Sequence, residues 1–308
     1  MNCAAWWWGR TNCSTACRRP EPMPNPPLTS RTILQERPGA SQAPGVYVTI
    51  EELVALGNGQ LGLMIAGFLQ ANVDFTSPEA QAMLKEGYKL ARPGCYDVAE
   101  RIKDQEIDGL DGEVVYPSVL FNVYQIANRD ILNATFSSYN DWVTDYCKEA
   151  PDRLFALSTL QLFDLDEAIA EMDRAKKLGA VGTCIPATAP PDRLYSDKWY
   201  DKFWAAAQEM EQPLNMHIFT GATPNHGLPF RQAGSPLAFA GVMFTIADMI
   251  QSGVFERFPK LKVVITEFES GWCAIMLKRL DWNWTRSGGA RKNVIPHPPS
   301  YYWKKNFY

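Results

Sequence analysis

The feature that most constrains this chain is a regular alternation of short apolar runs with longer helical stretches, which begins near residue 95. Parallel strands need long crossover connections, usually helices, so this alternation predicts a series of βαβ units. The predicted strands are 113–117, 154–160, 181–185, 213–218 and 261–266. The predicted helices are 98–107, 128–149, 165–178, 200–212 and 238–252.

Successive right-handed βαβ units wind into either an open doubly wound sheet or a closed barrel. Periodicity alone does not choose between the two. No predicted strand is followed by Gly-x-Gly-x-x-Gly, and no Walker A sequence occurs, so the nucleotide-binding forms of the open sheet lose their main support. We therefore predict an α/β fold of the TIM-like (β/α)8 barrel type.

The N-terminal region differs from the rest of the chain. Residues 1–45 hold seven of the 22 prolines and five arginines against two glutamates. Proline at this density blocks helices and central strands, so this region is predicted to be a disordered tail. Thr49-Ile50-Glu51-Glu52 has the spacing of a capping box and Ser77-Pro78-Glu79 is a helix start, which predicts a helical lead-in segment over 46–92. The barrel domain is then 93–308.

Composition and charge disfavour several classes of function. The net charge of −4 offers no general electrostatic attraction to nucleic acid or to an anionic membrane. No apolar stretch approaches the roughly 20 residues that cross a bilayer. The seven cysteines are scattered without a Cys-x-x-Cys pair, which is typical of reduced thiols in a cytoplasmic protein. We expect a small-molecule substrate as partner and leave a homo-oligomer open.

Reactive residues of a barrel lie at the C-terminal rim, where the strands end. This rule selects five positions from the predicted strands: Tyr116, Gln161, Pro186, His217 and Glu267. Two of them carry side chains suited to catalysis. His217 closes an apolar strand, and Glu267 closes the next one.

Each of these two side chains has a chemical and a structural interpretation. A neutral imidazole at His217 can bind a divalent metal or transfer a proton, whereas a core histidine only donates to a backbone carbonyl. Glu267 can ligate metal, orient water or take a proton, or it can form a salt bridge to Lys262 or to an arginine on a neighbouring loop. His226, in a turn sequence, and His297, among prolines, are weaker candidates.

A set of short segments in unbroken order resembles the amidohydrolase-related family, which includes aminocarboxymuconate-semialdehyde decarboxylase and related aromatic-acid decarboxylases. The resemblance covers roughly 93–308, and the order of the segments is more specific than any one of them. The segments are Asp108-Gly109 with Glu113–Ser118, Tyr139–Trp142, Pro151–Leu154, Ala168 with Glu171, Leu178–Gly182, Tyr200-Asp201 with Phe203-Trp204, Met216–Ile218, Gly253–Pro259, Glu267–Trp272 and Pro299–Tyr302.

The resemblance implies a distorted (β/α)8 barrel with one divalent metal, most often zinc, with manganese as a second choice. The family's ligands are a pair on strand 1, a histidine on strand 5 and an aspartate on strand 8. His217 matches the strand-5 ligand, and Glu267 matches the strand-6 position, where it would handle a proton or a water. The implied activity is that of a metal-dependent hydrolase or carboxy-lyase acting on a small aromatic or unsaturated carboxylic acid.

The chain departs from this pattern in two places. No histidine precedes His217, and the sequence ends at Asn306-Phe307-Tyr308, about where strand 7 should begin. We expect an incomplete barrel with strands 2 to 6 recognisable, the strand-1 ligand motif and strands 7 and 8 missing, and both sheet edges unpaired. A chain with so few ligands should be poor in metal. The alternative to the enzyme is therefore a catalytically inactive barrel remnant or gene fragment.

Overall fold

The described part of the chain divides into two compact units. The computed structural model describes residues 93–126, 128–190, 192–218, 220, 239–287 and 294–308. The predicted tail and helical lead-in segment lie outside these residues, so both stay predictions. One unit contains Tyr139–Thr144 and Ala156–Tyr308, and the other contains the described residues up to position 138 together with Asp145–Phe155.

Strands and helices alternate in the predicted order. The five strands of the described residues are β1 (Glu113–Val115), β2 (Leu154–Thr159), β3 (Gly182–Ile185), β4 (Leu214–His217) and β5 (Val263–Thr266). The α-helices are α1 (Val98–Asp108), α2 (Arg129–Lys148), α3 (Leu165–Leu178), α4 (Asp201–Glu209), α5 (Phe239–Gln251), α6 (Val254–Arg257), α7 (Gly271–Arg286) and α8 (Pro299–Asn306). Short 3-10 helices cover Pro93–Cys95, Ser118–Gln125 and Lys198–Tyr200.

Local sequence explains where the helices begin and end, and α3 is the clearest case. The side chain of Asp164 accepts from the backbone N–H groups of Asp166 and Glu167 at 2.9 and 3.1 Å, which satisfies two donors of the first turn. At the other end Gly179 adopts φ 113°, a conformation that only glycine reaches at little cost. Helix α3 therefore stops there, and the chain enters β3.

The strands lie side by side in chain order, from β1 to β5. The pairs β2–β3, β3–β4 and β4–β5 are parallel. A doubly wound sheet reverses its strand order at a switch point, where its ligand binds. Because this sheet has no such reversal, its order is that of a barrel wall, and the choice of a barrel over an open sheet is confirmed.

One face of the sheet is covered by helices. Ile185 of β3 and Met216 of β4 are fully buried in a cluster with Trp204 of α4 and Val242 of α5. Burial of each such side chain stabilises the fold by about 1.5–3 kcal/mol. Successive side chains of a strand point to opposite faces, so His217, which follows Met216, points away from these helices.

In the second unit, an ion pair joins the first helix to the first strand. The guanidinium of Arg101 on α1 pairs with the carboxylate of Glu113 on β1, with Nε 2.8 Å from Oε2. The backbone N–H of Glu113 donates to the carbonyl of Arg153 at 2.8 Å. The Tyr146 hydroxyl donates to the carbonyl of Gly94 at 3.3 Å, and burial raises the pKa of Tyr146 to about 12, so this hydroxyl keeps its proton.

The outer edge of β5 is partly paired, which corrects the expectation that both sheet edges are unpaired. Phe307 forms a parallel bridge with Val263. The N–H of Tyr308 donates to the carbonyl of Val263, and its carbonyl accepts from the N–H of Ile265, both at 3.0 Å. Residues 307 and 308 therefore begin a parallel pairing at the place where the sequence puts the start of strand 7.

Several element boundaries are shorter than predicted, for identifiable reasons. The first strand ends at Val115 rather than at residue 117, because Pro117 has no N–H for a sheet hydrogen bond. Helix α4 ends at Glu209 rather than at residue 212, and Glu211 adopts φ 53°, which turns the chain into β4. The carboxyl ends of β4 and β5, where the candidate site lies, are within one residue of their predicted places.

Candidate active site

His217 and Glu267 come together at the carboxyl end of the sheet. His217 is the last residue of β4. Its Cα partner on β5 is Thr266, which directly precedes Glu267. The carboxyl ends of parallel strands meet at one edge, so this register brings both candidate residues to the rim at which barrel enzymes place their reactive groups.

The imidazole of His217 is buried and has a partner at each ring nitrogen. Its Nδ1 lies 2.8 Å from the carbonyl oxygen of Ile218, and its Nε2 lies 2.9 Å from Oε2 of Glu267. A carbonyl oxygen can only accept a hydrogen bond, so Nδ1 carries a proton and donates it. This backbone contact is the one expected of a core histidine, but it is also the one that orients a ligand histidine with Nε2 outward.

The contact between Nε2 of His217 and Oε2 of Glu267 is at hydrogen-bond distance. With Nδ1 protonated, a neutral ring would present a lone pair to a carboxylate, and the two would repel at 2.9 Å. A proton on either partner turns the contact into a charge-assisted hydrogen bond. The geometry of the pair is therefore suited to sharing a proton at the rim of the sheet.

Glu267 reaches His217 from a strained backbone. Its φ is 65°, and Glu269, two residues later, has φ 58°. The left-handed region costs a residue with a Cβ about 1–2 kcal/mol. Such strain is kept where the surroundings enforce it, often at functional sites. The side chain of Glu267 is 36% exposed against 8% for His217, so the carboxylate lies on the solvent side of the pair.

Trp272 holds the loop that carries Glu267, and sequence reasoning missed it. Its indole Nε1 donates to the carbonyl of Phe268 at 2.6 Å, and the residue is 7% exposed. The segment Glu267–Trp272 stands out in the sequence as a family motif, but nothing in it indicates a hydrogen-bonded loop. This bond fixes the peptide that follows Phe268, one residue beyond Glu267.

Lys262 does not serve as the partner of Glu267. Its Nζ donates instead to the carbonyl of Lys305 at 2.7 Å and to the hydroxyl of Tyr308 at 3.0 Å. The carboxylate of Glu267 is turned toward His217. The structural interpretation of Glu267 as half of a salt bridge with Lys262 is therefore not supported.

The other candidate residues have local contacts. The side-chain carbonyl of Gln161 accepts from the N–H of Phe163, which shapes its own loop. The carbonyl of Pro186 accepts from the Tyr195 hydroxyl at 2.6 Å. The ring of His297 packs on a neighbouring tyrosine with 4.2 Å between ring centroids. Tyr116 belongs to the second unit, and His226 lies outside the described residues.

A catalytic zinc ion usually has three protein ligands and a water. Within the described ranges no group of three or more His, Cys, Asp and Glu side chains is placed to hold a metal ion. The orientation of His217 fits a ligand, but His217 and Glu267 supply only two donors. These residues by themselves do not make a metal centre.

No α-helix in the described part of the chain combines the length and the apolar character that a membrane span needs.

Comparison with solved structures supports the fold. The 5-carboxyvanillate decarboxylase LigW from Sphingomonas paucimobilis superposes with a TM-score of 0.59, 21% identity, and coverage of 84% of this chain and 77% of that chain. A dihydroxybenzoic acid decarboxylase from Polaromonas sp. JS666 was solved with bound manganese and the inhibitor 2-nitroresorcinol. It superposes with a TM-score of 0.57 and 19% identity, and the match covers 82% of this chain and 74% of that chain. With the strand order, these likenesses confirm the α/β fold as an incomplete TIM-like barrel.

Comparison of sequences supports the family. Gamma-resorcylate decarboxylase from Rhizobium sp. (strain MTP-10005) is 26% identical over 184 residues, which cover 54% of this chain and 52% of that protein. The chain thus spans about half the length of this curated relative. The profile of the family described as Amidohydrolase matches residues 97–303. This match extends over most of the chain, which therefore belongs to the amidohydrolase family.

Proposed function

We propose that this chain is a carboxy-lyase for small aromatic carboxylic acids, with Glu267 as the proton-transferring residue and His217 as its partner. The observation that carries the proposal is the 2.9 Å contact between Nε2 of His217 and Oε2 of Glu267 at the carboxyl ends of adjacent strands. Its relatives are decarboxylases of aromatic carboxylic acids, which favours this reaction over hydrolysis.

Loss of CO2 from an aryl carboxylate needs one proton delivered to carbon. In the proposed step the ring carbon that bears the carboxylate takes the proton held between Glu267 and His217. The bond from that carbon to the carboxylate then breaks, its electron pair returns to the ring, and CO2 leaves. The pair is left one proton short and regains it from water. A positioned acid typically contributes a factor of about 10² to 10⁴ to the rate.

The number of available ligands decides how tightly this chain would hold a divalent metal ion. A relative binds manganese, and His217 is oriented as a ligand would be, so we propose a divalent ion, manganese or zinc, near Nε2. Two donors hold such an ion weakly, and the described residues contribute no third. We therefore expect the purified chain to be poor in metal and assign no step of the reaction to the ion.

A non-catalytic member of the family is the second candidate, and the same shortage of donors favours it. The two candidates differ in how the purified full chain responds to added manganese. Uptake of manganese together with turnover of substrate, both lost in His217→Ala, supports the enzyme. A protein that takes up no metal and turns over no substrate when manganese is added supports the non-catalytic member. A cytoplasmic location and a homo-oligomer also remain predictions.

The activity is tested with gamma-resorcylate as substrate, with and without added manganese. Resorcinol formation is followed by chromatography, and Glu267→Gln should abolish it while the protein stays folded. Glu269→Gln is the matched control, because Glu269 is a glutamate in the same loop with the same left-handed backbone. Equal activity of Glu267→Gln and the unaltered chain would contradict the assignment of Glu267.

A further inference from the structure

We propose that Trp303 of α8 is a positioning residue for Glu267, because its ring supports the indole of Trp272, which holds the loop that carries the carboxylate. The proposal rests on the proposed function for the importance of Glu267. Its physical claim is that the ring of Trp303 keeps the hydrogen bond between Trp272 and Phe268 closed.

Phe268, the residue after Glu267, is fixed in two ways. Its side chain is 6% exposed and belongs to the hydrophobic core, and its carbonyl accepts from Nε1 of Trp272 at 2.6 Å. Its two neighbours, Glu267 and Glu269, both have left-handed backbones. Residues with a Cβ keep this conformation where their surroundings enforce it. Release of the Phe268 carbonyl would therefore let Glu267 relax and carry its carboxylate away from the rim.

The indole of Trp272 is supported by the ring of Trp303. The two ring centroids lie 6.2 Å apart and the planes cross at 82°, which is an edge-to-face contact. A hydrogen bond weakens steeply when its angle or its length changes. Because the indole must keep its orientation for Nε1 to reach the Phe268 carbonyl, loss of the supporting ring should loosen this bond.

Trp303 is in turn fixed by the pairing at the edge of β5. Its ring stacks on that of Phe307 with 5.1 Å between centroids and 12° between planes. Phe307 packs against Phe255 at 4.8 Å and forms the parallel bridge with Val263 of β5. The ring of Trp303 therefore connects a residue paired with β5 to the indole that holds the loop after β5.

The test measures hydrogen exchange of the Trp272 indole N–H by ¹⁵N NMR of the full chain labelled at tryptophan. The protein contains ten tryptophans, and Trp272→Phe identifies the signal by its loss. Trp303→Leu removes the aromatic ring and keeps an apolar side chain. It should accelerate exchange of the Trp272 indole by about two- to tenfold, the range that an aromatic pair contributes. Trp303→Phe, which restores a ring, should recover most of the protection.

Trp284 is the reference within each spectrum. It lies on the same helix, α7, and its Nε1 also donates to a backbone carbonyl, that of Ile295 at 2.9 Å. A general loss of stability would accelerate exchange of both indoles alike. The proposal requires the larger change at Trp272, and equal acceleration at the two positions overturns it, as does failure of phenylalanine to rescue.

Trp199→Leu is the matched control variant. Trp199 is also half-buried and also makes an edge-to-face contact with a buried aromatic ring, that of Tyr200, at 4.8 Å and 83°. Its loss should leave exchange of the Trp272 indole unchanged. If Trp303→Leu does not fold, the unsubstituted chain decides. The rings of Trp272 and Trp303 must then show cross-peaks, and the Trp272 indole must exchange more slowly than that of the exposed Trp282. Absence of either refutes the proposal.

Exchange of the indole needs neither substrate nor metal, so it can support the role of Trp303 in a chain that proves inactive. In an active chain, Trp303→Leu should lower kcat for gamma-resorcylate several-fold with KM little changed, and Trp303→Phe should restore it. An active enzyme with unchanged indole exchange in Trp303→Leu would keep the proposed function and refute the positioning role.

Discussion

Glu267 places its Oε2 2.9 Å from Nε2 of His217 while its own backbone lies at φ 65°, a region that glycine occupies without cost. The left-handed backbone of Glu267 is what directs its carboxylate toward His217. Thr266 ends β5 beside His217, and the left-handed residue that follows turns the carboxylate back over the end of β4. An extended backbone at this position would continue the strand past the imidazole.

We therefore predict that Glu267→Gly is more stable than Glu267→Ala. Both variants lose the carboxylate, but only alanine retains the left-handed strain, which costs about 1–2 kcal/mol. The greater flexibility of glycine in the unfolded chain offsets part of this. We expect glycine to exceed alanine by about 0.5–1 kcal/mol in the free energy of unfolding from urea titrations, with decarboxylation lost in both.

Asp173 supplies the control for this comparison. It lies within α3 and pairs with Lys177 on the helix surface. There alanine should be the more stable variant, by about 1 kcal/mol, because glycine weakens a helix interior. If alanine is also the more stable residue at position 267, the strain argument fails.

Asn140 is predicted to be the most sensitive polar residue in the barrel wall. It is fully buried on α2, and its side chain bonds both backbone groups of Thr159, the last residue of β2. Its Nδ2 donates to the carbonyl of Thr159 at 3.0 Å and to Glu171 at 2.8 Å, and its Oδ1 accepts from the N–H of Thr159 at 2.7 Å. Asn140→Ala removes the partners of two buried backbone groups, so we expect a loss of about 3 kcal/mol in the free energy of unfolding.

The comparison for Asn140 is Asn283→Ala on α7, where the side chain is exposed. That substitution should change the free energy of unfolding by less than about 0.5 kcal/mol. Equal effects at the two positions would show that the buried amide contributes nothing beyond helix propensity.

The fold was predictable because its signals are local. Asp164 and Gly179 mark the ends of α3 in the sequence, and the apolar runs of β3 and β4 stand out between helices. The pairing at Phe307 was not predictable. It depends on a single residue meeting Val263, 44 positions earlier, and no local pattern of hydrophobicity encodes such an encounter.

The site was predictable in its members but not in its geometry. The rim rule selects His217 and Glu267 because a strand end is visible in the sequence. Their direct contact depends on the parallel register of β4 and β5 and on the positive φ of Glu267, neither of which a single sequence specifies. The hydrogen bonds of the Thr220 hydroxyl to His217 and Ala187 were not predictable for a related reason, since they join residues that follow two different strands.

The ion pair between Arg257 and Asp201 is predicted to contribute measurably to stability. Nε and Nη2 of the arginine reach both carboxylate oxygens at 3.0 and 2.8 Å, and the two side chains are 29% and 27% exposed. A forked geometry with partial burial strengthens such pairs. In a double-mutant cycle with Asp201→Ala and Arg257→Ala we expect a coupling of about 1–2 kcal/mol, and Arg257→Lys should lose about half of it.

Lys148 and Asp145 provide the matched surface pair, with side chains 52% and 75% exposed. Solvent screening and side-chain entropy should leave their coupling close to zero. A coupling energy for Arg257 and Asp201 as small as that of this surface pair would show that the two-bond contact with the carboxylate adds no stability.

The four cysteines of the described residues are predicted to react with a thiol reagent in an order set by burial. Cys95 is exposed, whereas Cys147 and Cys184 are buried. Burial raises the pKa of Cys147 to about 11 and that of Cys184 further, and it also raises the pKa of the half-buried Cys273. A raised pKa leaves the thiol protonated, and the thiolate is the reactive form.

At pH 8 a thiol with a pKa of about 11 is a thiolate in roughly one molecule in a thousand, against about one in four for an unperturbed cysteine. Iodoacetamide followed by peptide mass spectrometry should therefore label Cys95 first, Cys273 next, and Cys147 and Cys184 only after unfolding in urea. Labelling of Cys184 should stay near zero between pH 7 and 9, because burial raises the pKa of its thiol. Early modification of Cys184 in the native protein would mean that β3 opens to solvent, and the barrel wall that carries His217 would then lack the rigidity that the site requires.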